Sequence, residues 1–312
     1  ELQGAALYPV TRWVITNMQG SFTLVVVVIA IYYAGELVWR ERDRKTHEII
    51  DATPAPDWTF IVPKTLALAL VLIVTLLVSA VAGVAVQASK GFFDFELEKY
   101  LFWYVLPLAL DWTLIAILAV FFQAISPQKF IGWGLMVLYL IATITLAQVG
   151  FEHRLYNKPI MFVVPLSDMN GQGDFATFAG WQRAYWTAFH VILLVLTYGL
   201  WRRGTEIRLT PRLRRLPRRL LGGAGLIGGV ALAAFVSLGV YVYVNTNVWN
   251  EYRTTIQNEE WLAEYEKTFL KYESLPQPSV TDVHLDLDLY PELPKLETEG
   301  VYQLVNDTGV PI

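Results

Sequence analysis

Apolar positions in this chain come mostly in long unbroken runs, without the spacing of a half-buried helix or strand. Six runs stand out, at about residues 19–38, 63–87, 101–125, 130–149, 185–201 and 221–244. A hydrocarbon layer of roughly 30 Å needs about 20 apolar residues of helix, so each run is a candidate membrane crossing. The fifth is the shortest and counts as a span only when it is begun as early as Tyr185 or Trp186. Residues 1–246 are therefore expected to form an all-α polytopic membrane bundle of about six transmembrane helices.

After the sixth run the pattern changes twice. Over residues 250–273 the aromatic positions Trp261, Tyr265, Phe269 and Tyr272 fall on one helical face, while Glu259, Glu260, Glu264 and Lys267 point elsewhere. Pro276 and Pro278 end that helix. Residues 247–276 are thus expected to be a connector helix outside the membrane. Next, Val283, Leu285, Leu287 and Leu289 alternate with His284, Asp286, Asp288 and Tyr290, which is the period of a half-buried strand. A second short strand is expected over residues 300–305, before the Asn306-Asp307-Thr308-Gly309 turn. Two strands bury little by themselves, so residues 277–312 are expected to begin a larger β domain.

Composition agrees with a lipid solvent: 54% of the residues are apolar and only 17% charged, more apolar side chain than a soluble surface accommodates. The net charge of −4 averages unlike regions. Arg40, Arg42, Arg44 and Lys45 follow the first span, Lys129 lies between the third and fourth, and eight arginines against Glu206 occupy residues 202–219 after the fifth. These basic stretches are separated by pairs of crossings, so all of them can lie on one face, and basic loops favour the cytoplasmic one. That topology leaves the N-terminus and everything after about Asn245 outside. An arginine run between two apolar spans points to membrane anchoring, so no nucleic-acid partner is expected. Cysteine is absent, which excludes disulfides and thiolate metal sites. With Glu1 in first position and no cleavable signal peptide, the sequence is expected to be part of something longer.

Two stretches carry candidate mechanisms. The first is Tyr33–Lys64, YAGELVWRERDRKTHEIIDATPAPDWTFIVPK, where the first span continues as a strongly charged helix over Arg40–Asp51 and halts at Thr53-Pro54-Ala55-Pro56. A short charged helix between two spans suits docking on another protein, with Ile49 and Ile50 as an apolar anchor. A solvated loop helix that only orients the spans is the competing reading. The second is Asp111, in the middle of the third span, with no charged partner evident in the spans. A carboxylate there costs at least about 2.5 kcal/mol unless paired or wetted. A substrate or gating role stands beside a neutral Asp111 hydrogen-bonded to a neighbouring helix. His190, near the start of the fifth span, and Glu36, at the end of the first, lie close to the interfaces, where plain structural satisfaction suffices. The small residues of GAGLIGG at 223–229 would admit a close helix neighbour.

The stretch GELVWRERDRKTHEIIDATPAPDW with Lys64 after it resembles the coupling-helix region of type-2 ABC transporter permeases. It is similar in particular to a bacterial subgroup whose permease is fused to a zinc aminopeptidase of the aminopeptidase N family. FFQAISPQKFIGWG at 121–134, SDMNGQG in the loop after the fourth span, YWTAFHVILLVLTYGLWRRG at 185–204 and the terminal YPELPKLETEGVYQLVNDTGVPI fit the same subgroup. The resemblance implies a multi-pass protein of the bacterial inner membrane with its C-terminal part periplasmic or extracellular, working as a homodimer or with a second permease half. It implies cytoplasmic ATPase subunits that bind ATP and grip residues 40–57 through Glu36, Arg40, Glu41, Arg42, Arg44, Glu48 and Asp51. Zinc would belong to the fused peptidase. This stretch lacks the His-Glu-x-x-His helix, the Gly-x-Met-Glu-Asn loop and the P-loop, so no catalytic or metal-ligating residue is assigned. The expected function is the membrane subunit of an ATP-driven transporter for peptide or lipid-like material, carrying an aminopeptidase-like domain. A membrane-anchored peptidase with purely scaffolding helices is the alternative, and an ion-coupled transporter or channel ranks last.

Overall fold

The computed structural model describes residues 8–204, 206–290, 293 and 295–312. The chain divides into two units, Glu1–Tyr252 and Arg253–Ile312.

The first unit is a helical bundle. In chain order it contains α1 (Thr11–Asp43), α2 (His47–Asp51), α3 (Trp58–Ser89), α4 (Leu97–Lys99), α5 (Leu106–Ile125), α6 (Lys129–Gln148), α7 (Gly173–Leu200), α8 (Leu209–Arg219) and α9 (Gly223–Asn247). A π-helical turn over Tyr100–Val105 joins α4 to α5. Pro107 follows directly, and a proline removes an amide donor and crowds the carbonyl one turn back, so a widened turn ahead of it accommodates the ring.

Among the described residues, five helices are long and apolar enough to cross a membrane: Thr11–Asp43, Trp58–Ser89, Leu97–Ile125, Lys129–Gln148 and Gly223–Asn247. The expected multi-pass helical bundle is therefore present. α7 differs from the expected fifth span. It starts at Gly173 rather than near Tyr185 and has 28 residues, about 42 Å at 1.5 Å per residue, but its polar positions dilute its apolar character. Those polar residues, Gln182, His190 and Thr197 among them, are buried against neighbouring helices, so packing replaces lipid around them.

α5 is the central helix, packed against α1, α3, α6 and α7. Its run Leu114–Val120 is wholly inside, and Ile115–Val120 cluster with Leu68, Leu72 and Leu76 of α3 and Val26, Ala30 and Ala34 of α1. Close helix approach is set by glycine where it is needed: a Cβ on Gly35 of α1 would lie 2.2 Å from the Trp133 indole of α6. Internal polar side chains pair across helices, as Ser79 with Tyr104 at 2.7 Å, Tyr100 with Gln87 at 2.8 Å and Trp39 with Gln123 at 2.9 Å. α9 packs on α7 with Gly239 against Tyr185 and Gly228 against Val195, and most of its surface remains exposed to the surroundings.

The second unit holds α10 (Thr255–Phe269), a 3-10 turn over Leu270–Tyr272, and an antiparallel hairpin of β1 (Ser279–Tyr290) and β2 (Lys295–Val305). α10 begins with a capping box: the Thr254 hydroxyl accepts from the Gln257 amide while the Gln257 side chain accepts from the Thr254 amide. Trp261, Tyr265, Phe269 and Tyr272 form a ladder of adjacent rings with centroids 6.3, 4.6 and 6.3 Å apart. Both strands are longer than the alternation alone indicated.

Candidate functional site

The three basic stretches meet at one end of the bundle. Lys129, at the start of α6, reaches Glu36 at 2.9 Å and Asp43 at 3.0 Å on α1. Lys64 of α3 pairs with Glu41 and donates to the Leu37 carbonyl at 2.7 Å. Arg42 lies 3.6 Å from Asp51 and donates to the carbonyls of Arg202 at 3.0 Å and Gly204 at 3.3 Å. Asp51 in turn accepts from the Gly204 amide at 2.8 Å. The segment between α2 and α3 is held the same way: Arg203 donates to the carbonyls of Ala55 at 2.8 Å and Thr53 at 3.0 Å. Asp57 faces Arg203 at 3.4 Å and Arg219 at 3.1 Å. Burial raises the Asp57 carboxyl above its usual range, and Arg219 and Arg203 pull it back.

Arg212 plays a further part that the sequence did not single out. It is buried, and it donates to the carbonyls of Ala124 at 2.7 Å and Leu200 at 2.9 Å. Those carbonyls belong to the last turns of α5 and α7, which leave acceptors without helical partners. One guanidinium therefore ties two helix ends to α8.

The charged helix expected to run unbroken through Arg40–Asp51 is instead a helix, a turn and a second helix. α1 ends in a Schellman motif, in which the Thr46 amide donates to Glu41 O at 2.9 Å and the Lys45 amide to Arg42 O at 3.0 Å. The motif places Lys45 at φ 57°, in the left-handed region. This turn sets α2 off the axis of α1.

The expected coupling residues divide into two sets. Glu36, Glu41, Arg42 and Asp51 point into the network and hold the segment to the bundle. Arg40, Arg44 and Glu48 are exposed and make no ion pair among the described residues, and Ile49 beside them is 76% exposed. The first set builds a platform; the second is the face the platform presents. Lys64, Lys129, Asp57, Arg203 and Arg212 complete the platform, and only their charge near span ends could have signalled it.

This segment falls inside the region that resembles a known family. Residues 3–149 match the family model of the ABC-2 family transporter protein. No curated protein and no solved structure matches the chain. The ABC-2-like region comprises α1 to α6, and its match supports a permease-type membrane domain.

The other polar centre joins the ABC-2-like region to α7. Asp111 of α5 is fully buried, and contrary to the expectation it has a charged partner in the bundle: Arg183 of α7 donates Nε to Oδ1 and Nη2 to Oδ2, both at 3.0 Å. Arg183 escaped the sequence reading because it precedes the apolar run that marked the fifth span. Between the two side chains lies Phe162, whose amide donates to Asp111 Oδ2 at 3.1 Å and whose carbonyl accepts from Arg183 Nη2 at 3.0 Å. Phe162 belongs to the irregular segment between α6 and α7 that dips into the bundle, where its backbone groups need protein partners. The bidentate pair supplies them.

Lys158, in the same segment, is 2% exposed. Among the described residues its ammonium donates to the carbonyl of the following residue, Pro159, at 3.0 Å. His190 is buried two turns along α7, with Nδ1 donating to the Trp186 carbonyl at 2.7 Å and Nε2 without a partner. Gln182, also fully buried, has no hydrogen-bond partner on either amide atom.

Proposed function

We propose that the chain is the transmembrane subunit of an ABC-2-type transporter, with a separate ATPase docking on the face formed by Arg40, Arg44, Glu48 and Ile49. The ABC-2 match over residues 3–149 supports this reading, since it covers that face and its platform. The geometry adds a mechanical argument. α1 is one helix of 33 residues from the interior to the turn at Lys45, and its last turns are bonded to α3 through Glu41, to α6 through Glu36 and Asp43, and to the arginine segment through Arg42. A push on α2 therefore reaches the end of α1 and the arginine segment through Asp51, and from α1 it reaches α3 and α6 through charge-assisted hydrogen bonds. In this reading the basic end is cytoplasmic and ATP is bound by the partner, in an assembly of two permease halves.

The residues that follow the membrane unit resemble the opening strands of an aminopeptidase, and the second part of the proposal is that they tether such a domain outside the inner membrane. The transported material would be peptide or lipid-like. The test of coupling is co-purification with the ATPase. Replacing Arg40, Arg44 and Glu48 together by Ala should abolish association while leaving the membrane unit folded. Undiminished association and transport would remove the coupling role. Peptidase activity and zinc content of the native protein isolated without any ATPase would favour the scaffold reading, in which the helices only anchor a metallo-aminopeptidase.

A further inference from the structure

The flank of the bundle between α7 and α9 is open. A groove of about 840 Å³ runs there, with Ala184 and Ala188 of α7 on one wall and Ala231 and Ala234 of α9 on the other. From Gly180 to Val191 it follows α7 for about 16 Å at 1.5 Å per residue, close to half of a hydrocarbon layer of roughly 30 Å. α9 is apolar enough to span a membrane, and Leu226, Ile227 and Val230 at the groove are more than half exposed. The groove thus opens sideways to hydrocarbon, where an empty channel would forfeit dispersion contacts that an acyl chain supplies.

Its lining is apolar with two exceptions, Arg183 and Thr187. Arg183 uses Nε and Nη2 on Asp111 and Phe162, and among the described residues Nη1 makes no hydrogen bond. The Thr187 hydroxyl, one turn further on, is buried with no partner. On the inner side of Arg183 the charges do not balance. The Arg183 guanidinium and the Lys158 ammonium lie 5.6 and 5.9 Å from the ring of Phe162, and the carboxylate that faces them both is Asp111. Two cations against one anion at low dielectric leave a positive charge that attracts an anion.

We propose that the groove between α7 and α9 binds an anionic phospholipid of the surrounding bilayer, with an acyl chain along its alanine walls and the anionic head drawn to Arg183 and Lys158. The occupant is specified by complementarity: the apolar channel asks for a chain, and the excess positive charge at Arg183 asks for an anion. The inference rests on the bundle alone, so its failure would leave the ATPase-coupling reading intact.

The experiment is native mass spectrometry of the purified chain with phosphatidylglycerol and phosphatidylcholine of identical chains. The unmodified chain should retain phosphatidylglycerol several-fold more than phosphatidylcholine. A184L, which fills the groove, should remove that bound copy; should A184L fail to fold, A234L fills the same channel from the other wall. K158Q should reduce the preference for the anionic lipid and leave phosphatidylcholine retention unchanged. The exposed arginines of α8 also attract anionic heads, so R214A/R215A/R218A should leave the copy in place. Retention unchanged in the groove-filled variant, a preference unchanged in K158Q, or loss of the copy in the α8 variant would each overturn the proposal. Displacement by glycerol phosphate, which has a similar head and no chain, would overturn it as well.

Discussion

Charge enters this bundle in two places, and the two are built on different terms. At the basic end, ion pairs such as Arg42–Asp51 and Arg219–Asp57 are partly exposed and spread over many residues. In the interior, the charge is concentrated in one bidentate pair, Asp111 and Arg183, with the Phe162 backbone bonded to both. Partly exposed pairs are screened and each contributes roughly 0–1 kcal/mol. A buried pair carries a desolvation cost that only its partners offset. The basic end therefore tolerates single losses and can move as a unit, whereas the interior pair fixes one arrangement of α5, α7 and the segment around Phe162.

The sharpest test of this difference is at Asp111. Asp111→Ala should destabilise the protein by roughly 3–5 kcal/mol, because it strands the Arg183 guanidinium. Thermal unfolding in detergent measures it. The double replacement D111L/R183L discriminates further. Were the two side chains there only for each other, two leucines would restore most of the stability. Because they also hold the amide and carbonyl of Phe162, the double variant should stay well below the parent, by about 1–3 kcal/mol for each backbone group left unpaired.

At the basic end the largest single effect is expected at Asp57, which faces two arginines. Asp57→Ala should cost about 1 kcal/mol and raise hydrogen exchange across residues 53–57, where Arg203 holds the carbonyls of Thr53 and Ala55. Raising ionic strength should shrink the difference between parent and variant, since the pairs are within reach of salt. A cost as large as that of Asp111→Ala, or one indifferent to salt, would erase the distinction between the two regions.

Within the basic end a second contrast follows from where the side chains go. Glu41→Ala and Arg42→Ala should each loosen the platform, because Lys64 loses the carboxylate of Glu41 and Asp51 the guanidinium of Arg42. Arg40→Ala and Arg44→Ala should leave stability within about 0.5 kcal/mol of the parent while weakening ATPase association. Co-purification together with unfolding temperature separates the two sets. Equal loss of stability in both would mean that the exposed face is part of the platform too.

The membrane spans and the one-sided distribution of basic loops were legible in the sequence because lipid imposes a strong composition on helices that face it. Asp111 was legible for the same reason, as a charge inside an apolar run. Arg183 and Lys158 were not. α7 is shielded by α5 and α9, so protein contacts relax its composition, and its apolar run begins only at Tyr185, after Gly173 and Arg183. One signal was available: Arg183, Thr187 and His190 share a helical face, which extends the fifth helix upstream of Tyr185. The strand alternation placed the hairpin but understated both strands, since pairing starts at Ser279 in β1, before the alternating positions, and at Lys295 in β2. The division of the coupling residues into platform and face was beyond reach, because it depends on which way α2 turns after α1.

That turn offers the smallest and most local test. The chain turns just after α3 at Gly91 with φ 79°, and after α6 at Gly150 with φ 88°, both in the same hydrogen-bond pattern as Lys45 at φ 57°. Glycine takes the left-handed region freely, while an L side chain in it costs roughly 1–2 kcal/mol. Lys45→Gly should therefore stabilise the α1–α2 turn by up to about 1 kcal/mol and slow hydrogen exchange at the amides of Lys45 and Thr46, less the entropy that glycine adds to the unfolded chain. Lys45 is exposed and makes no ion pair among the described residues that the substitution would break. A clear loss of stability in Lys45→Gly would mean that its side chain holds the turn. A gain would show that backbone bonds to Glu41 and Arg42 hold α2 in place, and that the presented face is oriented by the platform beneath it.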